Sequence, residues 1–327
     1  MLQSSHRSDD TPALETTWRA RSVTLDAATT LATFSSGLDD ESAPVVVLVH
    51  GLGHWTQGAW DAMVPYLAAT HRIVAFDLPG FGASSKPDGT YSLDFFSRAV
   101  DAVVLAYGLR RFTLVGHSLG GLIAANVAAR SPDCIEALVL LDPAGFLRTP
   151  KLLLRMIASR PAIALLGAIP PTRGWVRKAF ETSVYDPQSI TPAMHARMYK
   201  LARERSVRRA FARVYRDAMR EFFDLPGLHA RFGRFRGTTL IVWGREDRYI
   251  PLRALAGAER VYPHARVTIF GRCGHCPNVE LPAQTAALIV SLARYGAGTA
   301  LAATDFASPS SSATGAMSSS SRSADAT

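Results

Sequence analysis

The sequence predicts an α/β fold: an open, mostly parallel sheet with helices on both faces and one helical insertion. Three observations predict it. Short apolar runs recur without strict polar alternation, as strands covered on both faces require. Helix-compatible segments separate these runs, so strand and helix alternate. The alternation then fails over one long basic stretch, Phe146 to Arg236.

The elements follow in order. Residues 1–17 are polar and read as a flexible extension without the apolar core of a signal peptide. Arg19 to Leu25 and Thr29 to Phe34 read as a hairpin that starts the sheet antiparallel. The run Pro44 to His50 reads as a buried strand, as do Arg72 to Phe76, Phe112 to Val115, Ala137 to Leu141, Thr239 to Trp243 and Arg266 to Phe270. Helices are expected at Ala59 to Thr70, Leu93 to Tyr107, Leu119 to Ala129 and Pro282 to Tyr295. The core therefore occupies residues 18–145 and 237–295, with the insertion at 146–236. Residues 296–327 are Ser/Ala-rich and read as a disordered tail.

Charge is concentrated in the insertion. Residues 146–236 hold 19 Lys or Arg against 6 Asp or Glu, a net of +13 where the whole chain carries +9. The rest of the chain is therefore at −4. No apolar run reaches the roughly 18 residues of a membrane span, and a cytoplasmic location is expected. Three cysteines exclude a disulfide framework. Cys273 and Cys276 have metal-like spacing, but no second pair completes a site, so buried thiols and no metal are expected.

The chemistry lies in the loops that end the strands. Gly116-His117-Ser118-Leu119-Gly120 follows one strand and opens a helix, where a sharp turn would expose the serine hydroxyl at a helix amino terminus. The bland alternative, a serine capping a glycine-rich bend, explains nothing further along the chain. Asp247 lies in the loop after the Thr239 strand, and His275 in the loop after the Arg266 strand. Parallel strands place these loops on one sheet edge. A serine needs a nearby base, and the imidazole needs an acid to fix its tautomer, so Ser118, His275 and Asp247 are expected as nucleophile, base and acid. Asp142, at the end of the Ala137 strand, is the rival acid. The glycine-rich loop His50 to Trp55 follows the first parallel strand, and the amides of Leu52 and Leu119 are expected to converge as an oxyanion hole. His54, Trp55 and His117 flank this chemistry as candidate pocket residues. Asp77 reads as a turn-capping residue.

These motifs, with Asp77-Leu-Pro-Gly-Phe-Gly82-Ala-Ser84 and Cys273-Gly-His275, resemble the α/β-hydrolase superfamily from about Trp18 to Tyr295. The resemblance implies an α/β-hydrolase fold, a serine-dependent hydrolase without cofactor, and a lid where the insertion lies. A serine nucleophile sets the chain apart from the branches that use aspartate, the haloalkane dehalogenases and epoxide hydrolases. The leading expectation is a carboxylic ester hydrolase. Its apolar acyl or aryl group would meet lid residues Leu152, Leu153, Leu154, Ile157, Leu165, Leu166 and Ile169. The alternative is a carbon–carbon bond hydrolase of vinylogous diketones, which the sequence also resembles, although such enzymes often carry tryptophan directly after the triad histidine, where this chain has Cys276. A non-catalytic ligand-binding protein is the third reading, and the intact Ser, Asp and His argue against it.

Arg205, Arg209, Arg213, Arg216 and Arg220 recur every three or four residues and form one helical face, with Phe211, Val214, Tyr215, Ala218 and Phe222 opposite. Such a ridge is either solvated or meets an acidic partner, for which an acyl carrier protein or an anionic lipid surface is expected. Nucleic acid is not expected, since no recognition motif accompanies the charge.

Overall fold

The structure, a computed structural model, describes residues 17–295. The expected tail and all but the last residue of the expected amino-terminal extension lie outside them. Strands β1 (Arg19–Asp26) and β2 (Thr29–Gly37) form the hairpin, followed by β3 (Val45–Val49). Two short helices, α1 (Thr56–Trp60) and α2 (Val64–Ala68), replace the single helix expected over Ala59 to Thr70. Pro65 has no N–H to give the carbonyl four residues back, so the helix restarts rather than continues. Next come β4 (Arg72–Phe76), α3 (Leu93–Ala106), β5 (Phe112–His117), α4 (Leu119–Arg130) and β6 (Ile135–Leu141).

The insertion follows β6: α5 (Lys151–Ile157), α6 (Arg160–Ala168), α7 (Arg173–Ser183), α8 (Pro192–Arg203), α9 (Arg205–Glu221) and α10 (Leu225–Phe232). The core resumes with β7 (Thr238–Gly244), α11 (Leu255–Val261), β8 (Arg266–Phe270), α12 (Pro277–Glu280) and α13 (Pro282–Tyr295). The sequence reading did not anticipate α11.

The eight strands run in the order β1-β2-β4-β3-β5-β6-β7-β8, antiparallel from β1 to β4 and parallel from β4 to β8. Period-two side-chain alternation divides β3 between two layers. Val45, Val47 and Val49 join the layer that includes residues of α3 and α4, and Val46 and Leu48 join the layer of α1, α2 and α13. Ile241 and Trp243 of β7 divide from Leu240 and Val242 in the same way. The order reverses around β3, whose neighbours are β4 and β5, and a crevice at the carboxyl ends of the strands is the expected ligand position for such a sheet.

The insertion packs on that edge. The Phe211 ring of α9 lies against Gly53, and Ala210 lies against Gly80, so α9 crosses the loops after β3 and β4. Asp217 of α9 is buried and accepts the Tyr91 amide at 2.9 Å, with Arg216 paired to both of its oxygens.

Candidate active site

Ser118 sits at φ 54°, a left-handed conformation that disfavours L residues by about 1–2 kcal/mol. The surroundings hold it there. Its N–H donates to the Leu141 carbonyl of β6 at 2.9 Å, and its own carbonyl accepts the amides of Gly121, Leu122 and Ala144. At position 120 an added Cβ would lie 2.0 Å from the Val49 carbonyl, so glycine is what lets α4 start so close to β3.

The three expected residues meet. His275 Nε2 lies 2.9 Å from Ser118 Oγ, and Nδ1 lies 2.7 Å from Asp247 Oδ2. With Nδ1–H donating to the carboxylate, Nε2 is the nitrogen free to accept the serine proton. The other Asp247 oxygen accepts the amides of Tyr249 and Ile250 at 2.7 and 2.9 Å, which fixes the acid on its own turn. The structure thus brings Ser118, His275 and Asp247 into one hydrogen-bonded chain.

Asp142, the rival acid, does not take the imidazole. Its Oδ1 accepts the Gly244 amide at 2.9 Å, and its Oδ2 has no partner among the described residues that carries a hydrogen in its ordinary ionised state. Burial, then the neighbouring Asp247 carboxylate, push its carboxyl well above the ordinary range. Asp142, Asp247 and His275 bring donor atoms within 4.8 Å of one another, a metal-like cluster. The hydrogen bonds to Gly244 and between His275 and Asp247 already occupy it.

The glycine-rich loop after β3 lies against the serine: a Cβ at Gly51 would be 3.1 Å from Ser118 Cβ. His50 is buried, donates Nδ1–H to the Gly51 carbonyl at 2.8 Å and accepts the Leu78 amide on Nε2 at 2.9 Å. It clamps the loop to the end of β4. Asp77 accepts the amides of Thr56 and Ala83, both at 2.7 Å, as the turn-capping reading expects. The Leu119 amide opens α4 and has no acceptor within its own helix. Leu52 lies in the turn that directly follows Gly51.

The candidate pocket residues are all buried. His117 is buried and donates Nε2–H to the His275 carbonyl at 2.7 Å, so it holds the base's backbone rather than a substrate. Trp55 is packed with Val176, Met198 and Leu201 in a cluster beneath the insertion. His54 is buried between His117 and Phe180, its Nδ1 without a hydrogen-bond partner among the described residues, and burial pushes its pKa down to about 3, so it is neutral.

Two more corrections concern the insertion. Leu152, Leu153, Leu165, Leu166 and Ile169, expected to line an acyl pocket, face outward and are exposed, whereas Leu154 is buried. The arginine ridge is divided. Arg213 pairs with Asp88 and Arg216 with Asp217, while Arg205, Arg209 and Arg220 are exposed, Arg220 lying 3.7 Å from Asp217. A helix packed both on α6 and on the core has no single free face, and this is why the ridge is not continuous.

Contacts the sequence did not reveal tie the insertion to the triad. The His275 amide donates to the Ser183 carbonyl at 2.6 Å, Tyr249 Oη donates to the Ala179 carbonyl at 2.6 Å, and Glu280 accepts the amides of Tyr185 and Gly274 at 2.6 and 2.8 Å. No local pattern signals such bonds, although a glutamate five residues after the histidine could have been queried as a loop staple. Cys273 and Cys276 are buried, and burial pushes both thiols far up, away from the thiolate that a metal would need.

Known proteins place this geometry. The family model described as alpha/beta hydrolase fold matches residues 44–282. The 2-hydroxy-6-oxo-2,4-heptadienoate hydrolase of Pseudomonas putida strain F1 is 27% identical over 241 residues, covering 72% of this chain and 83% of that protein. The 2-hydroxy-6-oxononadienedioate/2-hydroxy-6-oxononatrienedioate hydrolase of Cupriavidus pinatubonensis is 30% identical over 250 residues, covering 73% and 82%. Among solved structures, the 2-hydroxy-6-oxo-6-phenylhexa-2,4-dienoate hydrolase of Rhodococcus sp. strain RHA1 superposes with a TM-score of 0.69 at 23% identity, over 85% of this chain and 99% of that one. No helix among the described residues is long and apolar enough to cross a membrane. The matched span holds the nucleophile turn, the acid loop and the histidine loop, and the chain belongs to the alpha/beta hydrolase fold family.

Proposed function

We propose that the protein hydrolyses a carbon–carbon bond in a 2-hydroxy-6-oxo-dienoate, with Ser118, His275 and Asp247 as nucleophile, base and acid. The observation that carries this reading is the Ser118–His275–Asp247 hydrogen-bond chain. It is set in a sequence whose two relatives above, matched over most of their length, are hydrolases of such compounds. This reverses the order expected from the sequence, where ester hydrolysis led.

In the mechanism, the substrate first moves its 2-hydroxyl proton to C5, leaving ketones at C2 and C6. Ser118 gives its proton to His275 and adds to C6, and the Leu52 and Leu119 amides hold the oxyanion. Collapse breaks C5–C6, and the electron pair passes through the conjugated chain to the C2 oxygen, which takes the proton back from His275. Water, activated by the same imidazole, then releases the acid from the acyl-serine. The net positive insertion favours this anionic substrate through its long-range field. Residues 146–236 act as a lid, with Phe211 over the oxyanion loop. Docking of an acidic carrier protein on the arginine ridge has weaker support, because Arg213 and Arg216 are already paired.

A second reading, ester hydrolysis, is favoured by Cys276 in the place where ring-cleavage hydrolases often carry tryptophan. It needs the same residues, with an alkoxide as leaving group. The test is kcat/KM for 2-hydroxy-6-oxo-2,4-heptadienoate beside p-nitrophenyl acetate and butyrate. The dienoate should be preferred by roughly a hundredfold, and Ser118→Ala should lose turnover of every substrate. An ester preference would install the second reading, and full turnover by Ser118→Ala would reject both.

A further inference from the structure

We propose that the outer face of α5 and α6, with Trp175 at the start of α7, docks on an anionic phospholipid surface. The large apolar side chains of this segment point away from the protein: Leu152, Met156, Leu165, Ile169 and Trp175 are each 58–70% exposed. This is not a loose core. The opposite faces are anchored, with Leu154 and Ile163 buried and Gly167 packed against Ala212 of α9. The helix pair is thus held by one face while the other presents leucine, methionine and isoleucine to solvent. A soluble protein rarely leaves such a patch without a use.

The charge of the same segment selects the occupant. Residues 146–180 contain seven Lys or Arg and no Asp or Glu. Lys151, Arg155, Arg160 and Arg173 stand exposed among the apolar side chains. Leucines and a tryptophan bordered by unopposed cations form the pattern of helices lying in a lipid interface, where the apolar groups enter the acyl boundary and the cations meet phosphate. The long cationic side chains can keep their charges at headgroup level while their stems lie along the apolar surface. A second copy of this chain fits less well. A two-fold contact would set this acid-free segment against its own duplicate, like charge on like charge. The helices are too short and interrupted to span a bilayer, so the attachment is peripheral.

Co-sedimentation of the intact protein with unilamellar vesicles tests this, at low ionic strength and without any turnover measurement. Its failure is therefore distinct from failure of the proposed reaction. Vesicles of equal phosphatidylcholine and phosphatidylglycerol should bind the protein at least tenfold more tightly than phosphatidylcholine alone. The triple variant Leu152→Ser, Met156→Ser, Leu165→Ser should lose at least roughly tenfold of that affinity with its melting temperature maintained, since all three side chains are exposed. Arg155→Glu with Arg160→Glu should lose a comparable factor. Absence of binding, equal binding to neutral vesicles, or unchanged binding by the triple variant would each overturn the proposal. So would a wild-type dimer, without vesicle binding, that the triple variant converts to monomer, since the face would then belong to a second copy.

Discussion

The sheet and the insertion use apolar residues in opposite ways. In the core, all five residues of β3 are buried, and Trp60 and Trp243 are sealed on opposite faces of the sheet. In α5 and α6, neighbouring leucines divide between inside and outside: Leu154 is buried, while Leu152 and Leu153 are exposed. A strand between two helical layers has only one environment for an apolar side chain, and a short helix on the protein's rim has two. The core therefore builds a rigid platform for chemistry, and the insertion keeps apolar surface for something outside the molecule.

The largest effect should come from the core. Asp247→Asn would leave the loop in place but present the wrong group to His275 Nδ1, and kcat should fall by about 10⁴-fold with little change in KM. A fall of less than tenfold would mean that the imidazole does not need this acid. Next, the two leucine environments can be compared directly by denaturant unfolding. Leu154→Ala should cost about 2–4 kcal/mol, and Leu152→Ser should stay within about 0.5 kcal/mol of the wild type. Equal costs would contradict the outward face of α5.

Acid should weaken the core through its histidines. His50, His54 and His117 are held below the ordinary value of 6.5, chiefly by burial. Unfolding frees them to protonate, so stability is complete above about pH 6.5. It falls as the pH drops below that, by about 1.4 kcal/mol per pH unit for each group until its folded pKa is reached. Asp142 works oppositely: its raised pKa stabilises at low pH and loses that contribution as pH rises through the folded value. Urea unfolding from pH 7.5 to 5 should show a net loss, and a flat profile would remove the buried neutral histidines. The smallest effect belongs to Asp142→Asn, which retains an acceptor for Gly244 and a donor toward Asp247. Its kcat should remain within about tenfold and its pH–rate profile should superpose on the wild type, as the raised pKa of the buried carboxyl implies. A displaced profile would mean that Asp142 is ionised.

Much of this architecture was legible in the chain. Buried parallel strands announce themselves as apolar runs, and the nucleophile, acid and histidine each stand in the loop after such a run. What escaped was set by tertiary contact. In α11, Leu255, Ala258 and Val261 face inward at helical spacing, but seven residues rich in alanine and glycine give a weak pattern. Consecutive leucines at 152–154 and 165–166 carry no periodicity that could choose a face. The ridge from Arg205 to Arg220 was correctly spaced, yet the carboxylates that divide it are Asp88 from a distant loop and Asp217 from within the helix. His117 was legible only as a neighbour of Ser118; its bond to the His275 carbonyl is a contact between distant parts of the chain.

The bond from the His275 amide to the Ser183 carbonyl has a consequence for how substrate enters. With Ala179 held by Tyr249 and Tyr185 held by Glu280, the last turn of α7 travels with the loops that carry acid and base. A gate that swung from this end would misalign the proton relay each time it opened. On the proposed reaction, any opening of the insertion from this end would therefore disturb the groups that cleave the bond, and admission and reactivity would share one mechanical linkage.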